Sequence, residues 1–235
     1  PPFAYEAFTI DVNRSIFEPL VALDRDHTLV PGLAESWVNP DDRTAIFTLR
    51  PGLKFSDGRP VTTEDAAASI RAVVEKGWAT APALRSVESA RALNEHCVEV
   101  RTRQPSFVLL SRLNWGFVIP EASVTRAPVP ALGTGPYRLE HWKRGHEIVL
   151  TRNPHFRGPA EPFEKARLVV VEDPKKRIAM VREGPARHAT ADCGRRWDGN
   201  PIMTHAAVAD ASQPLADVLL TARRAIWQAI RDANP

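Results

Sequence analysis

The sequence lacks most of the features that would announce a chemistry. It holds only two cysteines, Cys97 and Cys193, in 235 residues. They leave room for one bridge at most, and spacing alone cannot establish it. A buried free thiol at Cys97 is the plainer reading, because that residue sits in a strand-like run. No apolar stretch reaches membrane-spanning length, which excludes a spanning helix. Net charge is almost absent: 31 Lys and Arg against 28 Asp and Glu leave a formal +3. The two signs are interspersed without a basic stripe, which argues against nucleic acid as the main partner. There is no Gly-x-Ser-x-Gly elbow, no Gly-x-x-x-x-Gly-Lys loop and no His-Glu-x-x-His, and nothing suggests an enzyme. No internal repeat and no low-complexity tract stands out. The chain begins Pro1–Pro2 without an initiator methionine or a signal peptide. It is therefore expected to be a processed or trimmed product, and the missing signal says nothing about compartment.

What is present is an ordinary globular composition, 43% hydrophobic and 25% charged, sufficient for one large domain or two small ones. The 21 prolines predict many turns. Asp11 is placed to cap a short helix through Ser15–Phe17. Val21–Leu23 and Thr28–Val30 read as strands about the turn Asp24–His27. In Thr44–Arg50, Ala45, Phe47 and Leu49 alternate with Thr44, Ile46 and Thr48, the period of a strand. Pro51-Gly52 and Ser56-Asp57-Gly58 are turns. Thr62 and Asp65 form a box-like N-cap for a helix to about Lys76, ended by Gly77, with Ala67, Ile70, Val73 and Val74 as its buried stripe.

Further along, Val98, Val100 and Thr102 predict a strand, and Ser106 caps a short helix through Leu113. Phe117–Pro120 is read as another strand. Arg126–Pro136, rich in proline and glycine, reads as a crossing between two bodies. Strands are expected near Tyr137–His141 and Glu147–Thr151, about a turn at Arg144-Gly145, with a short buried strand at Leu168–Val171. A helix from Asp173-Pro174 to about Arg182 ends at Gly184. Pro185–Gln213 reads as loop, and Gln213 to about Asp232 as a closing helix capped by Ser212.

Several long segments carry a family likeness in one order. They are VPGLAESW, FTLRPGLKFSDGRPVTTEDAAASI, GTGPYRLEHW with LTRNPHFRG, and, flanking these, IFEPLV and RLVVVEDPKKRIAMVREG. Together they resemble solute-binding protein family 5, the extracytoplasmic binding proteins of peptide and nickel ABC importers, from Ile16 to about Gly184. Ordered long motifs are far more specific than one short match. The resemblance implies a mixed α/β fold of the type II periplasmic-binding-protein kind, with two lobes closing on a buried ligand. One lobe would be discontinuous, 1–23 with 132–184 and 213–235. The other, 24–131, would be inserted in it. It also implies a periplasmic protein, or one lipid-anchored at the outer face of the cytoplasmic membrane. That protein would be a monomer without cofactor that hands a small or peptide-like ligand to a membrane permease. A nickel-chelate binder of the same family, a non-transport sensor or accessory module, and an enzyme recruited onto the scaffold are the alternatives.

The family's pattern is not fully present. Members carry a long additional segment between the helix ending at Gly184 and the closing helix; residues 185–212 stand in its place. In peptide-binding members that segment holds the acid that receives the peptide's amino terminus. Where a glycine–acid pair is expected after Gly184, this chain has Pro185-Ala186-Arg187, so one lobe is expected to be incomplete.

The candidate ligand-binding residues follow the same resemblance. Tyr5 precedes the first helix, where members place pocket residues; an aromatic there can stack and donate a hydrogen bond, or simply pack. Asn114 and Trp115 fall in the region that faces the cleft. Nickel-binding members place an arginine nearby, where this chain has Gly116. Gly133, Thr134 and Gly135 mark a crossing near the cleft, where the glycines serve the backbone first. Trp78 could line the cleft, with packing at the helix end as the plainer role. No metal site is expected: His141 and His146 flank a turn without carboxylate or cysteine at ligand spacing, and Met203 with His205 is a lone pair. Asp41-Asp42 and Glu64-Asp65 are explained by turn and cap. Lys175-Lys176-Arg177 and Arg223-Arg224 read as solvated helix faces.

Overall fold

The structure, a computed structural model, describes residues 7–24, 26–78, 80–126, 129–158, 163–171, 173, 175–176, 179–180, 188–189 and 205–209. The chain divides into two compact units, Pro1–Arg138 with Asn153–Pro159, and Leu139–Arg152 with Ala160–Pro235.

The first unit opens with α1, Ala7–Ile16. It starts earlier than Asp11, which lies inside the helix rather than capping it. β1 (Val21–Leu23) and β2 (Leu29–Pro31) form an antiparallel hairpin. Its turn is closed by the Asp24 carboxylate, which accepts the N–H groups of Asp26 and Thr28. β3 (Ala34–Val38), β4 (Thr44–Leu49), β5 (Val87–Ala92) and β6 (Cys97–Thr102) make an antiparallel sheet in the order β3-β4-β6-β5. The alternation read in β4 holds, since Ala45 and Phe47 are fully buried.

α2, Thr63–Glu75, covers this sheet along β5 and β6. Its cap is the expected box: the Asp65 N–H donates to the Thr62 hydroxyl, and the Thr62 N–H donates to the Asp65 carboxylate. Asp65 does more than cap. Its other oxygen accepts the Glu121 N–H at 2.7 Å, tying α2 to α5 (Glu121–Val124). One turn on, the buried Ser69 hydroxyl accepts the Ile119 N–H at 3.0 Å. Gly77 ends the helix at φ +59°, a left-handed conformation that favours glycine. Ala67, Ile70 and Val73 meet Phe47, Val98 and Val100 of the sheet in one core, which also takes Leu20, Val21, Leu33 and Phe55. Val74 packs on that core only partly buried. Each fully buried Phe or Leu side chain contributes on the order of 1.5–3 kcal/mol.

Several local expectations need correction. α3 (Ala81–Leu84), α5 and β5 were not expected. In β5 only Val87 and Ala90 are buried, and polar residues between them hide the strand period. α4 is Leu109–Leu113; it begins after Val108, and Ser106 makes no side-chain cap. Phe117–Pro120 is not a strand, because Phe117 alone bridges Pro19 while the next N–H, from Val118, goes to the Glu18 carbonyl.

The second unit holds an antiparallel sheet in the order β10-β11-β9-β8-β7. β7 (Tyr137–Lys143) and β8 (Glu147–Arg152) form the expected hairpin, with Gly145 at φ +73° in its turn. β9, Lys165–Val170, is longer than expected and half-buried rather than buried. β10 (His188–Ala189) and β11 (His205–Ala209) lie in the stretch read as loop, with β11 paired to β9 from His205↔Val170 to Ala209↔Ala166. The closing helix lies outside the described residues, as do Cys193, Met203, Arg223 and most of the helix expected from Asp173.

Candidate functional site

The segment Ile16–Leu20 threads the first unit and gathers most of the candidate residues about it. It leaves α1 with the Phe17 N–H on the Asn13 carbonyl at 2.7 Å. From there its carbonyls serve three other segments. Ile16 O accepts the Gly135 N–H at 2.8 Å, Glu18 O accepts Val118 N–H at 3.0 Å, and Pro19 O accepts Leu33 N–H at 3.0 Å. The approach is so close that Gly133 and Gly135 have no room for side chains. A Cβ on Gly135 would stand 2.7 Å from the Ile16 carbonyl carbon. One on Gly133 would stand 2.7 Å from Phe17 Cδ1 and within bonding-scale contact of the Ile16 oxygen. At both positions the close backbone approach leaves room for glycine alone.

Between them Thr134 is buried, and its hydroxyl faces the Glu18 carboxylate. Glu18 Oε1 takes an ion pair from Arg157 Nη2 at 3.1 Å, and the same Arg157 nitrogen donates to Gly32 O at 2.9 Å. Arg50 Nε donates to that carbonyl as well, at 3.1 Å. Glu18 Oε2 and the Thr134 hydroxyl are both buried, and neither reaches good hydrogen-bond geometry with any described group. Burial raises the Glu18 pKa above its ordinary value, against the pull of Arg157, the Thr134 hydroxyl and Arg50.

Asn114 and Trp115 follow α4 and close on the same α1–β1 region. Asn114 is 4% exposed. Its Oδ1 accepts the Leu23 N–H at 3.3 Å, while its amide nitrogen is buried without a described partner. An unmet buried donor costs about 1–3 kcal/mol. The Arg14 guanidinium stands over the Trp115 ring, 5.5 Å from its centroid. Gly116 packs on Leu113, Leu84 and Ile70.

Trp78 is not part of this group. It lines a separate open hollow beyond the end of α2. Tyr5 lies outside the described residues. The sequence reading missed Glu18, Arg157 and Arg14. Glu18 and Arg157 stand 139 residues apart, and only their places in IFEPLV and NPHFRG marked them at all. Among the described residues, no group of three or more His, Cys, Asp and Glu is placed to hold a metal. Nor is any described helix long and apolar enough to cross a membrane.

Comparison with known proteins gives this arrangement a context. Residues 28–191 match the family model described as bacterial extracellular solute-binding proteins, family 5 Middle. The chain is 27% identical over 197 residues to the nickel-binding periplasmic protein of Escherichia coli K12, a match covering 78% of this chain and 37% of the relative. Among solved structures it is similar to NikA from Brucella suis in complex with Fe(III)-EDTA. There the TM-score is 0.71 and the identity 28%, with 78% of this chain and 39% of that one covered. It is also similar to Haemophilus influenzae OppA in complex with the peptide RPPGFSPFR. That TM-score is 0.69 and the identity 27%, over 78% of this chain and 42% of the other. The chain thus spans little more than a third of the length of the curated relative. The fold class is the expected one, mixed α/β of the type II periplasmic-binding-protein kind, and the partial span fits an incomplete lobe. The relatives are solute-binding proteins, which are not enzymes.

Proposed function

This chain belongs to family 5 of the bacterial extracellular solute-binding proteins, and from that premise we propose that it works as, or within, the extracytoplasmic receptor of an ABC importer. It captures a small, peptide-like solute and hands it to a membrane permease. It does so as a monomer, in the periplasm or anchored by lipid at the outer face of the cytoplasmic membrane. Capture follows the two-lobe scheme, with residues 24–131 inserted in a lobe made of 1–23, 132–184 and 213–235. The ligand contacts we assign are Tyr5, Asn114 and Trp115, beside the Gly133–Gly135 crossing.

The observation that carries the reading is the family match over residues 28–191. It is supported by the buried amide nitrogen of Asn114, which has no partner among the described residues, beside the α1–β1 connection. That donor suits a carbonyl or carboxylate oxygen, which peptides supply in quantity. A second reading is a metal chelate as solute, favoured by the nickel-binding relative and the chelate-bound NikA structure. A chelate needs donors and an aromatic wall rather than metal-ligating side chains, and Asn114 with Trp115 can supply both. A melting screen with di- to pentapeptides and nickel chelates separates the two: the class whose rise in melting temperature grows with the logarithm of its concentration is the solute.

A further inference from the structure

Trp78 lines a hollow that the solute reading does not use. After Gly77 the chain turns back on α2: the Trp78 N–H donates to Val73 O at 3.2 Å, and Ala81 N–H donates to Trp78 O at 2.7 Å. Trp78 there lines an open hollow of about 520 Å³, with Val74, Ala81 and Pro82 as the rest of its apolar wall. That volume is within the range of roughly 300–1,000 Å³ found for small-molecule sites. Two arginines, Arg85 and Arg103, complete the lining. Arg103 is fixed there, its Nη1 donating to the Arg85 carbonyl at 2.7 Å and its backbone N–H to Ser86 O at 2.9 Å. Nearby arginines have carboxylate partners on the sheet, Arg43 with Glu88 and Arg91 with Glu99. No described carboxylate makes an ion pair with Arg85 or Arg103.

We infer that this hollow binds an amphipathic carboxylate, with the apolar body against Trp78 and the carboxylate on Arg85 and Arg103. Two guanidiniums sharing an apolar hollow repel each other until an anion joins them, and a carboxylate meets the guanidinium fork with paired hydrogen bonds. An aromatic or branched aliphatic body supplies the apolar contact. This chemistry is carried equally by a free arylalkanoic acid and by a peptide ending in an apolar residue. The site is independent of the importer reading, so either can fail alone.

The test is the indole N–H resonance of Trp78 in the 235-residue chain, assigned with a Trp78→Phe variant. The chain is titrated with 3-phenylpropionate, 3-phenylpropionamide, Ala-Phe and Ala-Phe amide. A saturable shift is expected with the acids, and binding at least about tenfold weaker with the matching amides. The double variant Arg85→Gln, Arg103→Gln is expected to lose the response to the acids by a similar factor while its other indole resonances stay in place. Stronger binding of Ala-Phe names the peptide terminus as the source, and stronger binding of phenylpropionate names the free acid. Equal binding of acid and amide, an unchanged response in the double variant, or no Trp78 shift with either acid overturns the inference.

Discussion

Replacing Gly133 with alanine puts one methyl group where the candidate site has none to spare. The added carbon would lie 2.7 Å from Phe17 Cδ1 and 2.8 Å from the Ile16 carbonyl carbon. Phe17 is itself 2% exposed and packs on Phe117, so it cannot swing away. Nor can the backbone back off without loss. Gly133 O accepts the Ser56 N–H at 2.8 Å, and Gly135 N–H holds Ile16 O at 2.8 Å. Overpacking of this kind costs about 3 kcal/mol or more when the neighbour is backbone. For a chain of this size that lowers the melting temperature by about 6–12 °C. Gly52→Ala is the control. It sits at φ +72° with nothing within 4 Å of a Cβ, so only conformational strain applies, about 1–2 kcal/mol. Urea unfolding followed by circular dichroism gives both values from the midpoint at constant slope. A Gly133→Ala variant that loses less than the Gly52 control would refute the reasoning that this crossing is closed by direct backbone contact.

Two further outcomes test the groups around it. Asp65→Ala removes the carboxylate half of the capping box and the Glu121 N–H bond together, leaving the Thr62 hydroxyl on the backbone N–H of position 65; chemical denaturation should show a loss of about 2–4 kcal/mol, and a loss under about 1 would mean that the tie to Glu121 adds nothing. Glu18→Gln tests the buried carboxyl. Its folded pKa lies above the ordinary 4.5, so the folded state holds the proton more tightly than the unfolded one. Glu18 therefore favours folding most below pH 4.5, and that contribution is lost as pH rises through the raised folded value. The variant should show a shallower fall in stability over that window. Its cost at neutral pH should be under about 1 kcal/mol, since Arg157 is 36% exposed and can be solvated. An unchanged pH slope would show that Glu18 does not titrate differently on folding.

Local signals in the sequence reached far into the first unit. The alternation of β4, the Thr62–Asp65 box and the Gly77 stop each depend on residues a few positions apart, and each is where the chain places it. What escaped depends on partners distant in sequence. β5 shows little period because it is half polar, and it becomes a strand by pairing with β6. β11 contains three alanines among its five residues and is held by β9 rather than by its own pattern. Phe117 has strand-like neighbours but among the described residues it bridges Pro19 as an isolated pair. The same divide runs through the site. The glycines at 133 and 135 were legible as backbone residues, and Asn114 was marked by family likeness. The Glu18–Arg157 pair and the Arg14–Trp115 stack join segments that no local period connects.

The most direct test of the central claim is ligand-dependent melting of the unaltered chain. A solute held at about one hundred times its dissociation constant adds about 2.7 kcal/mol to folding. On a chain of this size that is a rise of about 5–11 °C, growing with the logarithm of concentration. The account predicts such a rise with a peptide-like solute, or, on the second reading, with a nickel chelate. A folded chain whose melting temperature does not move with any di- to pentapeptide or nickel chelate would contradict it.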